Sequence, residues 1–209
     1  ELRDKPAGSV RITLSHHALT QLIWPKLRPV LRDYPDIRLE LNVDGGFRNI
    51  VEDGFDAGIR LGESVEHDMI ALRVGPDWRL VAVAAPAYLA VHGRPEHPQD
   101  LLGHECINRR LVTAGGLYAW EFEKDGKELR VRVEGRLTLN DDATMVGAAL
   151  DGVGIAYVPE DMVAAQLASG KLVLLLDDWS PRFAGYHIYY PSRHQNLPAF
   201  KAVVNALRH

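Results

Sequence analysis

Residues 8–43 read GSVRITLSHHALTQLIWPKLRPVLRDYPDIRLELNV and hold a strand, a helix and a second strand in that order. Apolar and polar side chains alternate over Val10–Leu14 and again over Ile37–Val43, which is the periodicity of half-buried strands. Between these strands, apolar residues recur at helical spacing over 19–31, so one face of the helix is apolar. The stretch therefore predicts a β-α-β unit.

Two prolines, Pro25 and Pro29, lie inside the predicted helix. Each removes a backbone N–H, and proline is tolerated best in the first turn of a helix. We therefore expect either a kink or a helix that restarts near Pro25.

The alternation of strands and helices continues on the C-terminal side of this unit. A short helix is predicted over Phe47–Glu52 and a third strand over Asp56–Leu61. This order is typical of a mostly parallel sheet with helices on its faces.

The second half of the chain predicts another α/β unit. A strongly apolar strand covers Trp78–Ala85, and Asp125-Gly126 is the turn of a predicted hairpin whose second arm extends to Leu139. The remaining predicted elements are helices over 142–150, 160–168 and 197–207 and strands over 153–158, 172–176 and 186–190.

Two such units indicate two lobes with a cleft between them. We place the crossings at the strands around Val81–Ala85 and Leu172–Leu176, so that lobe I comprises residues 8–83 and 172–209 and lobe II comprises residues 84–171. Ligands of open α/β sheets bind beyond the carboxyl ends of the strands. The predicted binding loops are those after Leu14, Val43, Leu61 and Leu139.

The composition is that of an ordinary globular protein. Of 209 residues, 46% are hydrophobic and 25% are charged, and 24 basic against 28 acidic side chains give a net charge of -4. A duplex-binding surface needs a basic excess, so the chain alone is not predicted to bind DNA tightly. The longest apolar run, Leu80–Ala85, is far too short to cross a bilayer.

The chain ends and the cysteine content bear on the compartment. The single cysteine, Cys106, excludes an internal disulfide and fits a reducing cytoplasm. The polar start at Glu1 lacks a signal peptide and an initiator methionine, so we expect a fragment of a longer protein.

The motifs of common enzyme and metal sites are missing from the sequence. None of the nine histidines forms an i, i+4 pair with an acidic neighbour, so no metal site is predicted. Gly152-Val153-Gly154 lacks the third glycine of a dinucleotide loop and precedes a strand rather than following one. Neither a nucleophile elbow nor a P-loop occurs. We therefore predict neither an enzyme nor a cofactor.

Several segments together resemble the effector-binding domain of LysR-type transcriptional regulators. The resemblance covers the chain from Gly8 onward, and its segments keep the order of the family. They are GSVRITL at 8–14, PKLRPVLRDYP at 25–35, GFDAGIRLG at 54–62, AAPAYLAVHGRPEHPQDLLGHECI at 84–107, LND at 139–141, GVGIAYVP at 152–159 and LASGKLVLLLDDW at 167–179.

The resemblance implies an α/β fold like the type II periplasmic binding proteins, with two Rossmann-like lobes joined by two crossover strands. It implies a winged helix-turn-helix and a linker helix ahead of this domain, so that residues 1–7 end the linker and DNA is bound only through the missing part. It also implies a homodimer or homotetramer, in which helix 19–33 and strand 37–43 of one chain meet helix 142–151 of another.

The resemblance implies an effector contact at Ser15, where the alternative is a helix N-cap or a turn residue. His16 and His17 stand where the family usually has small or apolar residues, so they either tune ligand choice or form a solvated loop. Leu61 and Gly62 are expected to bring backbone amides near the ligand.

Arg60 has two possible roles. Its guanidinium can clamp a carboxylate of the effector through two hydrogen bonds. Alternatively it has a structural role, in an internal ion pair with Asp44, Glu52 or Asp56.

In lobe II, Asn108 is expected opposite Ser15 across the cleft. Arg109 and Arg110 alternate in direction, so only one of them faces inward, and we assign Arg110 to the effector. Asn140, Asp141 and Asp142 form a strand-to-helix junction with free amides. One acid is expected to cap the helix, and Asn140 or the other acid, Asp142 in our assignment, to contact the ligand.

We interpret the chain as the effector-sensing and oligomerisation domain of a bacterial, cytoplasmic transcription regulator. The effector is expected to be a small polar metabolite, either anionic or neutral. It is expected to bind one closure state better than the other. The alternatives are a solute-binding protein of a transporter with the same fold and a small enzyme on this scaffold.

Overall fold

A computed structural model describes residues 5–46, 49–62, 68–111 and 115–208. The chain divides into two compact units. Unit 1 comprises Glu1–Asp77 and Ala184–His209, and unit 2 comprises Trp78–Phe183.

These boundaries differ from the predicted ones. Residues 78–83 and 172–183, which we assigned to lobe I, lie in unit 2. The physical reason is strand pairing, because the strand over 80–84 is hydrogen-bonded on both sides to strands of unit 2. The two predicted crossing strands are therefore neighbours in one sheet of unit 2.

Unit 1 is built on a five-stranded sheet with the order β2-β1-β3-β12-β4. Strand β1 is parallel to both β2 and β3, whereas β12 is antiparallel to both β3 and β4. The predicted parallel arrangement therefore holds for the first three strands. The strands are β1 (Gly8–Leu14), β2 (Ile37–Val43), β3 (Ala57–Leu61), β4 (Met69–Arg73) and β12 (Tyr186–Pro191).

The helical segment between β1 and β2 is continuous but changes its winding. It begins as α1 (His16–Ala18), passes through a π-helical turn (Leu19–Ile23) and continues as α2 (Trp24–Asp33). Pro25 lies in the first turn of α2, which confirms the predicted restart, and Pro29 stays inside the helix. The change in helical winding is thus located in the π-helical turn, just before Pro25.

The core of unit 1 lies on the apolar face of this helix. Leu27 of α2, Ile12 of β1 and Phe200 of α6 (Pro198–Leu207) belong to one buried cluster. The amphipathic pattern that predicted both helices therefore marks the faces that are buried.

The helix predicted over Phe47–Glu52 is not found in the part that the structure describes. Phe47 and Arg48 lie outside the described residues, and residues 50–54 form turns. Gly54 has a φ of +74°, a conformation that favours glycine.

Unit 2 contains three small sheets. Strand β5 (Leu80–Ala84) lies between β10 (Ala156–Pro159) and β11 (Val173–Leu175), and both pairings are antiparallel. Strand β6 (Asn108–Arg109) pairs in parallel with β9 (Thr138–Leu139). The third sheet is the hairpin of β7 (Trp120–Lys124) and β8 (Lys127–Val131), and the helices are α3 (Pro86–His92), α4 (Asp142–Leu150) and α5 (Ala164–Ala168).

The predicted hairpin is confirmed, with one difference in its second arm. Asp125 and Gly126 have φ values of 51° and 76°, the left-handed pair that a two-residue hairpin turn requires. The second arm ends at Val131 rather than Leu139, because residues 138–139 pair with β6 instead. Helix 160–168 is likewise interrupted, as a 3-10 turn (Glu160–Met162) precedes α5.

Unit 2 has cores of its own on the two faces of its sheets. Trp120 and Phe122 of the hairpin are buried on one face, and Met145 of α4 is buried on the other. Within the described ranges, no helix is long and apolar enough to span a membrane.

Candidate functional site

The three predicted binding loops of unit 1 lie at one edge of its sheet. In the parallel registers, Leu14 at the end of β1 is opposite Val43 of β2 and Ile59 of β3. The loops that follow these strands therefore leave the sheet on the same side, where the carboxyl ends of parallel strands place ligand sites. The loop after Leu139 belongs to unit 2.

Ser15 is the N-cap of the helix that follows β1. Its Oγ accepts a hydrogen bond from the backbone N–H of Ala18 at 3.2 Å. The Oγ also lies 3.4 Å from the hydroxyl oxygen of Tyr186. The N-cap alternative for Ser15 is thus confirmed. A hydroxyl that accepts at a cap can still donate its own hydrogen, so the effector contact stays a prediction.

His17 is tied to the same tyrosine. Its Nδ1 lies 2.7 Å from the Tyr186 hydroxyl, and the two ring centroids are 5.7 Å apart. His17 is half-buried, whereas His16 is exposed to solvent. His16 is therefore solvated, but it lies in the first turn of α1 and not in a loop, while His17 forms part of a polar chain with Tyr186 and Ser15.

Tyr186 is a residue that sequence reasoning missed. It begins β12, is 171 positions away from Ser15 and reaches it only because β12 pairs with β3. The one sign in the sequence that Tyr186 could contribute to a polar site was its hydroxyl, at the start of a predicted buried strand.

The Arg60 guanidinium is bonded to backbone oxygens of unit 1. It donates to the carbonyls of Thr13 at 3.1 Å, Ile59 at 2.8 Å and Gly46 at 2.9 Å, and to the Thr13 hydroxyl at 3.3 Å. Burial lowers the pKa of Arg60, and the charges of Asp44 and Tyr186 oppose that shift. The geometry supports the structural role, with carbonyls in place of the predicted carboxylate partners.

Gly62 also has partners inside unit 1. Its N–H donates to the carbonyl of Gly185 at 3.1 Å, and its carbonyl accepts from the Tyr189 hydroxyl. Its φ of +76° is the left-handed conformation that glycine adopts without strain. Leu61 has an exposed side chain. A ligand that used the Gly62 amide would have to compete with Gly185, so this contact stays a prediction.

At the strand-to-helix junction of unit 2, one of the two acids caps the helix, as predicted. Asp141 is the N-cap of α4, and its Oδ2 accepts from the Thr144 N–H at 2.8 Å and from the Thr144 hydroxyl. Asp142 forms an ion pair with Arg109, whose guanidinium also donates to the carbonyl of Tyr157 at 3.4 Å. Any effector contact of Asp142 would have to compete with Arg109, which sequence reasoning did not pair with it.

The other three residues assigned in unit 2 are not part of this ion pair. Arg110 is exposed and donates to the carbonyl of Gly115 at 2.7 Å. Asn140 is exposed at the end of β9. Asn108 is only 4% exposed and lines a pocket within unit 2. The position of Asn108 opposite Ser15 stays a prediction.

Replacing Asp141 by alanine tests the cap of α4. We expect Asp141→Ala to lower the free energy of unfolding by about 1 kcal/mol, because the Thr144 N–H loses its acceptor. Urea unfolding of the wild type and the variant measures this difference. The matched control is Asn140→Ala, one position earlier and outside the cap, with an expected change within about 0.5 kcal/mol. Equal losses in both variants would contradict the capping role.

Metal and thiol chemistry have no support at these positions. Within the ranges that the structure describes, no three His, Cys, Asp or Glu side chains group so as to hold a metal ion. Cys106 is buried, and burial raises the pKa of its thiol to about 12. The thiol is therefore protonated at neutral pH, where the thiolate is the reactive form.

The chain matches the family model of the LysR substrate binding domain over residues 3–209. It therefore belongs to the LysR substrate-binding domain family, the regulatory domain of LysR-type transcriptional regulators. This confirms the resemblance in the sequence and the predicted α/β fold of the type II periplasmic-binding class.

Curated relatives agree with this membership. The chain is 50% identical over 208 residues to a Pseudomonas aeruginosa protein named as a transcriptional regulator, and it covers 68% of that protein. It is 38% identical over 209 residues to the HTH-type transcriptional regulator PgrR of Escherichia coli, covering 70% of it. In both comparisons, the whole of this chain is matched.

Solved structures show the same fold. The regulatory domain of CrgA, a LysR-type transcriptional regulator from Neisseria meningitidis, superposes with a TM-score of 0.78 at 25% identity, covering 97% of this chain and all of that domain. The regulatory domain of AphB from Vibrio vulnificus superposes with a TM-score of 0.83 at 24% identity, covering 96% of this chain and 98% of that domain.

Proposed function

We propose that this regulatory domain senses a small polar metabolite, anionic in the form that binds best, at the carboxyl edge of the unit 1 sheet. The observation that carries the proposal is the polar chain of Ser15, His17 and Tyr186 at the start of a helical segment. The chain presents two hydroxyls and an imidazole beside the amides of the first helical turn. Members of this family are transcriptional regulators that respond to effectors, which fits a sensing site.

The electrostatics of this edge favour an anion. The helical segment that begins at His16 continues to Asp33, so the positive end of its dipole points to the edge. The Arg60 guanidinium lies beneath the same edge, held by the carbonyls of Thr13 and Gly46. Arg60 thus adds positive charge without being a direct clamp, and Asp44 reduces that charge in part.

The experiment is a thermal-shift screen of small carboxylates, followed by calorimetric titration of the hits. We expect Ser15→Ala and Tyr186→Phe each to weaken the binding of a hit about tenfold, because each removes one hydroxyl from the site. The control is Thr20→Ala, which removes a hydroxyl bonded to the His16 carbonyl on an exposed part of the same helix. Hits that bind all four proteins with one affinity would contradict the proposed site.

The proposed mechanism is a shift between conformations. A metabolite that binds one conformation better shifts the equilibrium by its differential affinity alone. A coupling of about 1 to 3 kcal/mol would alter the regulator's affinity for DNA, which we assign to a part of the protein outside this chain. The effector is bound and released unchanged, so we propose neither an enzyme nor a transport protein, and we place the regulator in the cytoplasm.

We also propose that α2 and β2 take part in a homodimer or homotetramer. Three large apolar side chains on this side are exposed to solvent: Trp24, Leu31 and Val43. Strand β2 is also an edge strand of its sheet. Exposed apolar side chains beside an open strand edge are typical of an interaction surface.

Leu31→Glu tests this interface. We expect at least a tenfold weaker self-association, since a carboxylate would be desolvated where leucine packs. Analytical ultracentrifugation over a concentration series measures it. Val91→Glu on α3 is the control, because Val91 is the more exposed residue, at 78% against 38% for Leu31. The interface is wrong if both variants dissociate alike or neither does.

A further inference from the structure

Unit 2 contains an open pocket of about 810 Å³ that is lined in part by Asn108 of β6. Its walls are partly apolar and partly imidazole, and one buried amide lines it. Its lining includes Leu102, Leu117, Val133, His92, His104 and Asn108. None of them belongs to the anion site proposed above.

Asn108 is the unusual residue of this pocket. Only 4% of its surface is exposed to solvent. Its side-chain amide makes no hydrogen bond with any residue in the described part of the chain. Its backbone N–H is satisfied by the carbonyl of Leu137 at 2.9 Å. The amide is accessible from the pocket and makes no hydrogen bond within the described residues, so it can pair with a ligand bound there.

The imidazole of His104 is held in one orientation. Its Nδ1 lies 2.9 Å from the Tyr88 hydroxyl, whose oxygen accepts from the Glu105 N–H at 3.0 Å. We assign the tyrosine proton to the hydrogen bond with Nδ1, which places the ring proton of the neutral imidazole on Nε2. Burial and the charge of His92 lower the pKa of His104, against the opposing effect of Asp100, so the ring is a neutral N–H donor at pH 7.

The charges around the pocket disfavour an anion. The Glu105 carboxylate accepts a hydrogen bond from the backbone N–H of Arg136 at 2.7 Å. The same carboxylate lies 3.6 Å from the Arg136 guanidinium. The exposed carboxylate of Glu134 is also at the pocket. The charges of Arg136 and Glu105 therefore offset each other, and the carboxylate of Glu134 leaves a net negative charge at the pocket.

We propose that this pocket is a second ligand site of the domain, for a small neutral molecule with an amide on an apolar body. An amide offers an adjacent donor and acceptor, which an asparagine side chain can match with two hydrogen bonds. Leu102, Leu117 and Val133 contact the apolar body. The lining residues all belong to unit 2, whereas Ser15 belongs to unit 1.

Benzamide is the probe, titrated into the isotope-labelled chain and followed by NMR. We expect a saturable shift of the Asn108 side-chain amide and of the His104 and Leu117 backbone amides. Benzoate, which has the same ring but a negative charge and no donor, should bind at least tenfold more weakly. Asn108→Leu should abolish the shifts, and Leu117→Arg, at an exposed rim position, should do so without touching the buried amide.

Several results would overturn the second site. These are no shift at millimolar benzamide, an undiminished affinity in either variant, or benzoate binding as tightly as benzamide. Shifts confined to Ser15 and Gly62 would also overturn it, because the probe would then occupy the effector site. Failure of the carboxylate screen, by contrast, leaves the benzamide result unaffected, so the two proposals fail separately.

Discussion

Gly185→Ala is expected to lower the free energy of unfolding by about 3 kcal/mol, near the upper end for an overpacked position. A Cβ at Gly185 would lie 1.9 Å from the carbonyl oxygen of Pro76, which is backbone and cannot turn away. Separating the two segments would strain the hydrogen bonds from the Val74 N–H to Tyr186 and from the Gly62 N–H to Gly185. Urea unfolding measures the loss.

The control for this substitution is Gly116→Ala. A Cβ at Gly116 would meet no atom of the described residues within 4 Å, and the φ of Gly116 lies outside the left-handed region. The same chemical change should therefore alter the stability by no more than about 0.5 kcal/mol. If Gly185→Ala were as stable as Gly116→Ala, the close approach of residues 76 and 185 would be wrong.

Arg60→Ala is expected to cost about 2 to 4 kcal/mol of stability, because bonds from a charged donor are worth more than neutral ones. The guanidinium serves three carbonyls and the buried Thr13 hydroxyl, and these acceptors lose their donor together. Arg60→Lys keeps the positive charge but not the several N–H donors of the planar guanidinium, so its loss of stability should lie between those of the wild type and Arg60→Ala. Denaturant unfolding of the three proteins gives the order.

Arg110→Ala is the matched control for Arg60→Ala. Within the described residues, the exposed Arg110 side chain donates one hydrogen bond, to the Gly115 carbonyl, so its removal should cost no more than about 0.5 kcal/mol of stability. An Arg60→Ala variant with wild-type stability and no effector binding would reverse our assignment. Arg60 would then be the carboxylate clamp that the sequence also allowed.

The elements that depend on local pattern could be predicted from the sequence. The turn at Asp125-Gly126, the restart of the helix at Pro25 and the cap at Asp141 each follow from the chemistry of one or two neighbouring residues. The bounds of the two units do not follow from local pattern. Strand β5 has the same apolar pattern whether its partners are β10 and β11 or strands of unit 1, and only the pairing decides.

The candidate site was predictable to the level of its loops but not of its contacts. Strand ends in a parallel sheet point to the loop at Ser15, and the sequence alone suggests that loop. The contact with Tyr186 spans 171 positions, and the ion pair of Arg109 with Asp142 spans 33. Periodicity describes which face a side chain takes, whereas these contacts depend on which strands become neighbours.

The central claim is that an anionic effector binds at the carboxyl edge of unit 1 without being changed. The most direct measurement is an NMR titration of the isotope-labelled chain with the carboxylate that stabilises it most in the thermal-shift screen. The account predicts the largest backbone amide shifts at residues 15–18 and at Gly62, with the ligand recovered intact. Saturable binding that leaves these amides unmoved, or a ligand converted to product, would contradict it.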